Sequence, residues 1–487
     1  MFFVMATFIL FNPSPQTMEL QELCWNKEPL KLETIQLLNP DLAPKIMECF
    51  TFSIKFFLAS LVIDLHDLIV KKNKYMKRIP LFLTCFLLAV NVYCQNKKPA
   101  RILPGAERMD VYLPLLKGKR VGIFANQTSM VGNTHLVDTL RKSGIDIKVI
   151  FGPEHGFRGT ADAGEKVGNY VDEKTGIPVV SLYGSKRKPA AEDVKDVDVL
   201  IFDIQDVGVR FYTFISSMQE FMEAAIEHNK PILLLDRPNP NGHYVDGPVL
   251  DKKYKSFVGM QSIPIVYGMT IGEYAKLLIG EEWVTGDAKE LLHQQYQYNF
   301  KLTVINCINY SHKTKYILPV RPSPNLPNIQ SIYLYPSTCF FEGTVLSEGR
   351  GTNKQFQVFG HPSLPHNLYS FTPNPNEGAK NSKLYGQLCY GWDLSGTPEE
   401  VLKKVDNKIQ LKWLMEAYKL FPEKEKFFIL PKSSKMEESF FNKLAGNNEL
   451  WQQIRDGKSE AEIRASWEPA LSEFRKLRKK YLLYEDF

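Results

Sequence analysis

Carboxylates, amides, arginines and aromatics recur in four tight clusters of this sequence. They are Asn126-Gln127-Thr128-Ser129, Gly152-Pro153-Glu154-His155-Gly156-Phe157-Arg158-Gly159, Asp203-Ile204-Gln205-Asp206-Val207-Gly208-Val209-Arg210-Phe211-Tyr212 and Asp236-Arg237-Pro238-Asn239-Pro240-Asn241-Gly242. That inventory suits a sugar: amides and carboxylates hydrogen-bond hydroxyls, and aromatic faces stack on pyranose rings. Glycoside hydrolysis needs a protonated acid at the leaving oxygen. Glu154 is the candidate, because Phe151, Pro153 and Phe157 are close in sequence and a partly apolar pocket raises a carboxyl pKa. A surface-loop glutamate is the bland alternative. Asp203, Asp206 and Asp236 compete for the role of base or nucleophile. Asp206, followed by Gly208, could face a cleft, and Asp203, nearest its strand, could be buried for structure. An acetamido oxygen on the substrate could replace all three.

Other chemistries lack their signatures. No GxGxxG follows the first apolar run, and no Walker A loop, HExxH or GxSxG elbow occurs. His155 beside Glu154 is the remaining start of a metal site, without a visible partner cluster. No cofactor is expected. The seven cysteines form no CxxC pair and no disulfide framework, which leaves room for one bridge. A net charge of +6 over 487 residues calls for no nucleic acid. The basic run Arg475 to Lys480 reads as the wet face of a last helix.

The clusters must be held by regular elements. Short apolar runs at 119–125, 147–151, 178–182, 197–202 and 231–235 read as strands. Helices are expected at 134–143, ended by Gly144, at 214–228 and near 270–278. Strands alternating with helices predict an α/β, Rossmann-like parallel-sheet N-terminal domain over 100–305. Residues 306–487 read as a smaller α+β C-terminal domain completing a cleft, helical over 398–420 and 436–487. In an open parallel sheet ligands bind beyond the carboxyl ends of the strands, and all four clusters fall there. Each loop alone also fits a plain turn or helix cap.

Residues 76–94 have a basic start (Lys77, Arg78), a short apolar run (81–92) and Cys94. This is the layout of a signal peptide, too short for a membrane span. Export to the periplasm or cell surface follows, by cleavage before Gln95 in preference to a lipid anchor at Cys94. Residues 1–75 read as an extension without a domain pattern.

Eight segments in order make the sequence resemble the exo-β-N-acetylmuramidase NamZ family, glycoside hydrolase family 171. They are VGIFANQTSMVG (121–132), FGPEHGFRGTADAGEKV (151–167), FDIQDVGVRFYTFISSM (202–218), LLDRPNPNG (234–242), VDGPVL (245–250), YGMTIGEYA (267–275), RPSPNLPNIQSIYLYPSTCFFEGT (321–344) and SEGRGT (347–352). The resemblance implies an enzyme releasing N-acetylmuramic acid from non-reducing ends of peptidoglycan fragments, and it puts the family's proposed catalytic glutamate at Glu154. Motif position adds Asp206 as a second catalytic group. It adds Asn126, His155, Arg210, Tyr212, Asp236, Arg237, Asn239, Arg321, Glu348 and Arg350 as substrate contacts. Among these the arginines suit the lactyl carboxylate of N-acetylmuramic acid, though each alone also fits a structural ion pair. A peptidoglycan-binding protein without catalysis and a metal-dependent hydrolase using His155 are the rival readings.

Overall fold

The run RVGIFA carries no polar side chain after its first residue, the pattern of a strand covered on both faces. In the computed structural model it is the central strand β1 (Arg120–Ala125). The following strands are β2 (Met130–Val131), β3 (Thr134–His135), β4 (Asp146–Gly152), β5 (Tyr170–Val171), β6 (Pro178–Ser181), β7 (Val199–Asp203), β8 (Ile232–Leu235) and β9 (Leu302–Ile305). Seven of them form a sheet ordered β5-β6-β4-β1-β7-β8-β9. Every neighbouring pair is parallel except β5 with β6. β2 and β3 make a separate hairpin. The structure describes residues 100–487 apart from 155, 159–167, 295–299 and 434. The segments read as leader and extension, Cys94 included, lie outside the described residues, as does His155.

Alternate residues of each strand feed opposite faces, as a pleated backbone requires. Phe124, Phe151, Phe202 and Leu234 pack on one side against the helix Phe214–Glu227, where Phe221 lies 5.1 Å from Phe124 and 5.4 Å from Phe151 between ring centroids. Ile123, Ile150, Ile201 and Leu233 pack on the other side against the helices Met109–Leu116 and Leu136–Lys142. Each such side chain contributes roughly 1.5–3 kcal/mol on burial. The register sets Phe124 level with Phe151 and Phe202, and Ala125 level with Asp203. The loops after these strands therefore emerge at one edge. The order turns back at β1, which has β4 on one side and β7 on the other, so the crevice of a doubly wound sheet falls at these tips.

The second part carries an antiparallel sheet, β10 (Val358–His361), β11 (Tyr369–Phe371) and β12 (Cys389–Asp393), ordered β10-β12-β11. Helices follow at Pro398–Val405, Leu411–Leu420, Phe440–Ala445, Leu450–Arg455 and Glu460–Arg478. The mixed α/β class expected from sequence holds. The pairs β2–β3 and β5–β6, the edge strand β9 and the antiparallel sheet were beyond the sequence reading. The helix expected from Thr134 starts at Leu136, because Thr134 and His135 pair as a strand and His135 Nδ1 caps the helix by accepting from Val137 N at 3.2 Å. Cys307, Cys339 and Cys389 are free and buried. No described helix is long and apolar enough to cross a membrane.

Residues 100–487 form one compact unit, and the largest apolar cluster runs through both parts. Polar ties add to it. The basic run at the last helix is not uniformly wet: the Arg478 side chain is 2% exposed. Its Nε donates to Gly268 O at 2.8 Å, and Nη1 and Nη2 grip Asp486 at 2.8 and 2.7 Å. The chain end then returns over the first part. Leu483 N donates to Glu273 Oε1 at 2.8 Å, Tyr484 Oη donates to Asp236 Oδ2 at 2.5 Å, and His312 N donates to Glu485 O at 2.9 Å. Deleting residues 482–487 takes partners from two buried carboxylates and from Arg478. A buried polar group left unpaired costs about 1–3 kcal/mol, more if charged. We expect the deletion to lower unfolding free energy by roughly 5 kcal/mol in urea titrations followed by circular dichroism. A midpoint unchanged from the full chain would contradict this role for the tail.

Candidate active site

Glu154 sits two residues past β4, in a turn closed by Gly156 N donating to Pro153 O at 2.9 Å. Gly156 takes φ +73°, the left-handed region open to glycine. Phe157 then plunges into the core, with its ring edge-on to His135 at 5.0 Å. This anchored turn leaves Glu154 half-buried at the sheet edge. Tyr183 Oη, just past β6, donates to Oε1 at 3.1 Å, and Thr213 Oγ1, before the helix Phe214–Glu227, donates to Oε2 at 3.2 Å. Burial comes first, and Glu154 second, in pushing the Tyr183 hydroxyl up to about 12, so Tyr183 is a proton donor in this pair throughout the neutral range. Tyr212 stands within the electrostatic reach of both Glu154 and Asp206, and burial drives its pKa well up. Its hydroxyl donates to Pro322 O at 2.9 Å, and Gln127 Nε2 donates to the same carbonyl at 3.1 Å. The 321–322 segment thereby meets the tips of β1 and β7. Tyr183, Thr213 and Gln127 were not singled out from sequence. Tyr183 follows the one predicted strand whose end was not inspected, and Thr213 falls just before the helix expected at 214–228.

The other predicted residues divide sharply. Asn126 is fully buried. Its Oδ1 accepts from Thr128 N at 2.9 Å and Thr128 Oγ1 at 2.6 Å, while Nδ2 has no partner. Arg321 is exposed and pairs with Glu377 at 2.6 Å, at the rim. Tyr212 is 8% exposed. The remaining contacts expected from motif position belong to the framework. Arg210 has no exposed surface: Nη1 donates to Pro248 O and Ile263 O, and Nη2 to Leu444 O, at 2.8–2.9 Å. With no carboxylate beside it, burial lowers its pKa to about 9. Arg237 is spent on Asp203, at 2.6 and 2.8 Å, and on Met130 O. Asn239 bridges Met269 O and Asn241 N. Asp236 accepts from Arg237 N, Gly272 N, Thr270 Oγ1 and Tyr484 Oη. Glu348 and Arg350 belong to an ionic cluster in the second part: Arg350 lies 3.0 Å from Glu342, and Lys383 lies 2.8 Å from Glu348. Arg210, Arg237, Asp236 and Asn239 cannot reach a sugar without breaking the bonds that hold the tips, whereas Arg350 keeps a partly exposed side chain.

Asp206 is corrected as well. It is 4% exposed, its Oδ2 accepts from Gly208 N at 2.6 Å and from Tyr267 Oη, and its Oδ1 is buried without a partner. Desolvation dominates and raises its pKa to about 6, against the bonds from Tyr267 and Gly208. A carboxyl whose folded pKa lies above its unfolded value stabilises the fold fully below the unfolded pKa, and loses that contribution as pH rises through the folded one. Here the window runs from about pH 4 to 6. Relative to Asp206→Asn, the parent protein should lose on the order of 2–3 kcal/mol between pH 4 and 7. Urea midpoints of the pair at both pH values give this directly, and a gap independent of pH would refute the buried titration.

Family models for the exo-beta-N-acetylmuramidase NamZ match here, the N-terminal one over 121–330 and the C-terminal one over 333–484. A peptidoglycan beta-N-acetylmuramidase NamZ from Bacillus subtilis (strain 168) is 40% identical over 417 residues, 80% of this chain and 93% of that protein. The crystal structure of a DUF1343 family protein from Bacteroides fragilis NCTC 9343 superposes with a TM-score of 0.70 at 46% identity, covering 80% of this chain and all of that one. A second DUF1343 protein from the same strain gives 0.61 at 28% identity, covering 79% and 99%. The chain belongs to the exo-β-N-acetylmuramidase NamZ family.

Proposed function

We propose that this protein is a glycosidase, an exo-β-N-acetylmuramidase that releases N-acetylmuramic acid from the non-reducing ends of peptidoglycan fragments. Glu154 is its general acid and base. The observation that carries the reading is the placement of that carboxylate. It is half-buried at the switch point of the sheet, between the hydroxyls of Tyr183 and Thr213, in a chain 40% identical to a relative named for this activity. Two hydroxyl donors fix its orientation, which positions the carboxyl for proton transfer with a leaving oxygen.

The second chemical role goes to the substrate. Asp203, Asp206 and Asp236 are each 4% exposed or less, and a nucleophile or base must touch the sugar or its water. The acetamido oxygen of an N-acetylated sugar meets that need as an internal nucleophile. It attacks the anomeric carbon as the bond to the leaving oxygen breaks, and Glu154 hands that oxygen its proton. Water then opens the cyclic intermediate, giving its proton back to Glu154. The leader-like segment at 76–94 fits a periplasmic or cell-surface enzyme, where such fragments arise.

Glu154→Gln keeps the size and hydrogen-bonding capacity of the side chain but removes its acid. General acid catalysis is worth about 10²–10⁴-fold. We expect release of N-acetylmuramic acid from a defined muramic-acid-terminated disaccharide to fall by at least about 10²-fold, with the circular dichroism spectrum unchanged. Near-normal turnover in the variant removes Glu154 from the mechanism. Fragment binding by the parent protein with no product at all supports a binding protein. Activity lost to a chelator and restored by zinc supports the metal-dependent reading.

A further inference from the structure

The loop after β6 carries three consecutive cations, Lys186, Arg187 and Lys188. β6 runs parallel beside β4, so this loop opens at the same edge as Glu154. Its outer two cations are spent on the protein: Lys186 pairs with Asp193 at 2.6 Å, and Lys188 with Glu227 at 2.7 Å. These pairs pin the chain on both sides of Arg187. The Arg187 side chain is exposed and has no hydrogen bond or ion pair among the described residues. Its guanidinium lies instead over the half-buried ring of Phe257, 4.2 Å from the centroid. A guanidinium held by an aromatic face spends none of its N–H donors.

Tyr183, the donor to Glu154 at 3.1 Å, joins Arg187 to the catalytic carboxylate. Burial and then Glu154 raise the Tyr183 pKa, and Arg187 is the charge that opposes them, so its guanidinium stands within electrostatic reach of that hydroxyl. Tyr183 and Arg187 are four residues apart, which bounds their Cα separation at about 14 Å. Lys255 shares the neighbourhood: burial first and Glu223 second raise the Glu220 pKa, and Lys188, Arg187 and Lys255 oppose them. Glu223 is buried beneath, accepting from Gln219 and Thr285, and Glu227 is taken by Lys188. The outer surface therefore carries two unpaired cations, Arg187 and the exposed Lys255, against one half-buried carboxylate, Glu220.

A general acid stands beside the group that leaves, so a cation one loop further out meets the departing fragment and not the sugar set free. In peptidoglycan, neutral N-acetylglucosamine alternates with N-acetylmuramic acid. The cleaved bond therefore has a neutral sugar next to it on the departing side, and a carboxylate one sugar beyond. We infer that Arg187, backed by Phe257 and Lys255, is a subsite for the carboxylate of that inner N-acetylmuramic acid, which makes glycan chains better substrates than the isolated disaccharide. The inference rests on the muramidase reading and adds to it a preference for what the released sugar is attached to. The pinned loop and the Phe257 ring hold the guanidinium ready, so little order is lost when the carboxylate binds.

The test compares the disaccharide of N-acetylmuramic acid and N-acetylglucosamine, the tetrasaccharide that repeats it, and that tetrasaccharide with its inner carboxylate converted to a carboxamide. In Arg187→Gln, kcat/KM for the charged tetrasaccharide should fall about 10-fold, chiefly through KM, since the contact is remote from the reacting bond. The disaccharide and the carboxamide should change less than about twofold, and disaccharide turnover also reports that the variant is folded. Phe257→Leu should show the same selectivity more weakly. Salt screens an exposed charge contact, so the parent protein's preference for the charged tetrasaccharide should shrink at high ionic strength, while Arg187→Gln has none to lose. Equal losses on all three substrates, or no loss on the charged one, overturn the subsite. Calorimetric titration separates this from the muramidase reading, by comparing the charged trisaccharide left after one release with neutral chitotriose. Arg187-dependent binding of the charged trisaccharide supports the subsite even if no sugar is released, in which case only the muramidase reading fails. Equal binding of the two trisaccharides by the parent protein overturns the subsite.

Discussion

The buried pair of Asp203 and Arg237 holds the working edge of the sheet together. Asp203 ends β7, and Arg237 is the second residue beyond β8. Both side chains are almost wholly enclosed, at 0% and 2% exposure, and they meet through two parallel contacts. Removing one partner of such a pair costs about 3–5 kcal/mol, because the other charge stays buried and uncompensated. The pair does not act alone. Arg237 also donates to Met130 O in the hairpin after β1, and Ser129 Oγ donates to Asp203 O. The ends of β1, β7 and β8 are thus cross-tied before any substrate arrives. Four polar loops could otherwise flop at a solvent edge, since loops carry few apolar contacts of their own.

The same bookkeeping of buried charge explains which carboxylate is left for chemistry. Among the described residues, Glu154, Asp203, Asp206 and Asp236 emerge near these tips. Asp203 is neutralised by Arg237, Asp236 is surrounded by four donors, and Asp206 is enclosed under Tyr267 and Gly208. Of these four, Glu154 alone combines partial exposure with hydroxyl donors. Its loop departs from β4, on the far side of β1 from the Asp203 tie. Phe157 anchors that loop by burying its ring among the residues on that face, and the next residue, Arg158, ties it to Asp172, so neither anchor uses the Glu154 carboxylate.

That division also sets what could be read from the sequence. The parallel sheet was legible because apolar runs such as IKVIF and PILLL have no solvent face to encode, and their spacing left room only for crossover helices. The short pairs β2–β3 and β5–β6 were not, since two-residue strands carry no period. Among the expected site residues, Glu154 lies half-buried at that edge, and Asn126 lies there fully buried, with its Oδ1 taken up by Thr128. The strand-tip rule failed for Arg210, Arg237, Asp236 and Asn239 for one reason. Composition shows that a loop is polar, but not whether each polar group faces solvent or neighbouring main chain. Asn239 illustrates the limit: Gly208 has φ +76° and leaves room for no Cβ against that amide, a close approach between loops thirty residues apart. Tyr183 went unseen because its loop, although it carries Lys186, Arg187 and Lys188, offers no carboxylate or amide to mark it as part of a sugar site.

The ties between the two parts bear on how a substrate gains access. Arg210 reaches Leu444 O, Asn241 Nδ2 reaches Ile332 O at 3.1 Å, Arg464 meets Asp246 at 3.0 Å, and Tyr484 reaches Asp236. Each joins a loop at the strand tips to the second part, and each is buried on at least one side. Swinging the parts open would expose or orphan all of these donors together, at about 1–3 kcal/mol for each neutral bond and more for the charged ones. Domain-scale opening is therefore far costlier than the thermal energy available to a catalytic cycle. The crevice must be close to its working shape before binding, and selectivity has to come from groups already in position along its walls. An enzyme that removes one sugar from a chain end needs such a preformed recess, because it must reject the many interior sugars that share the same glycosidic bond.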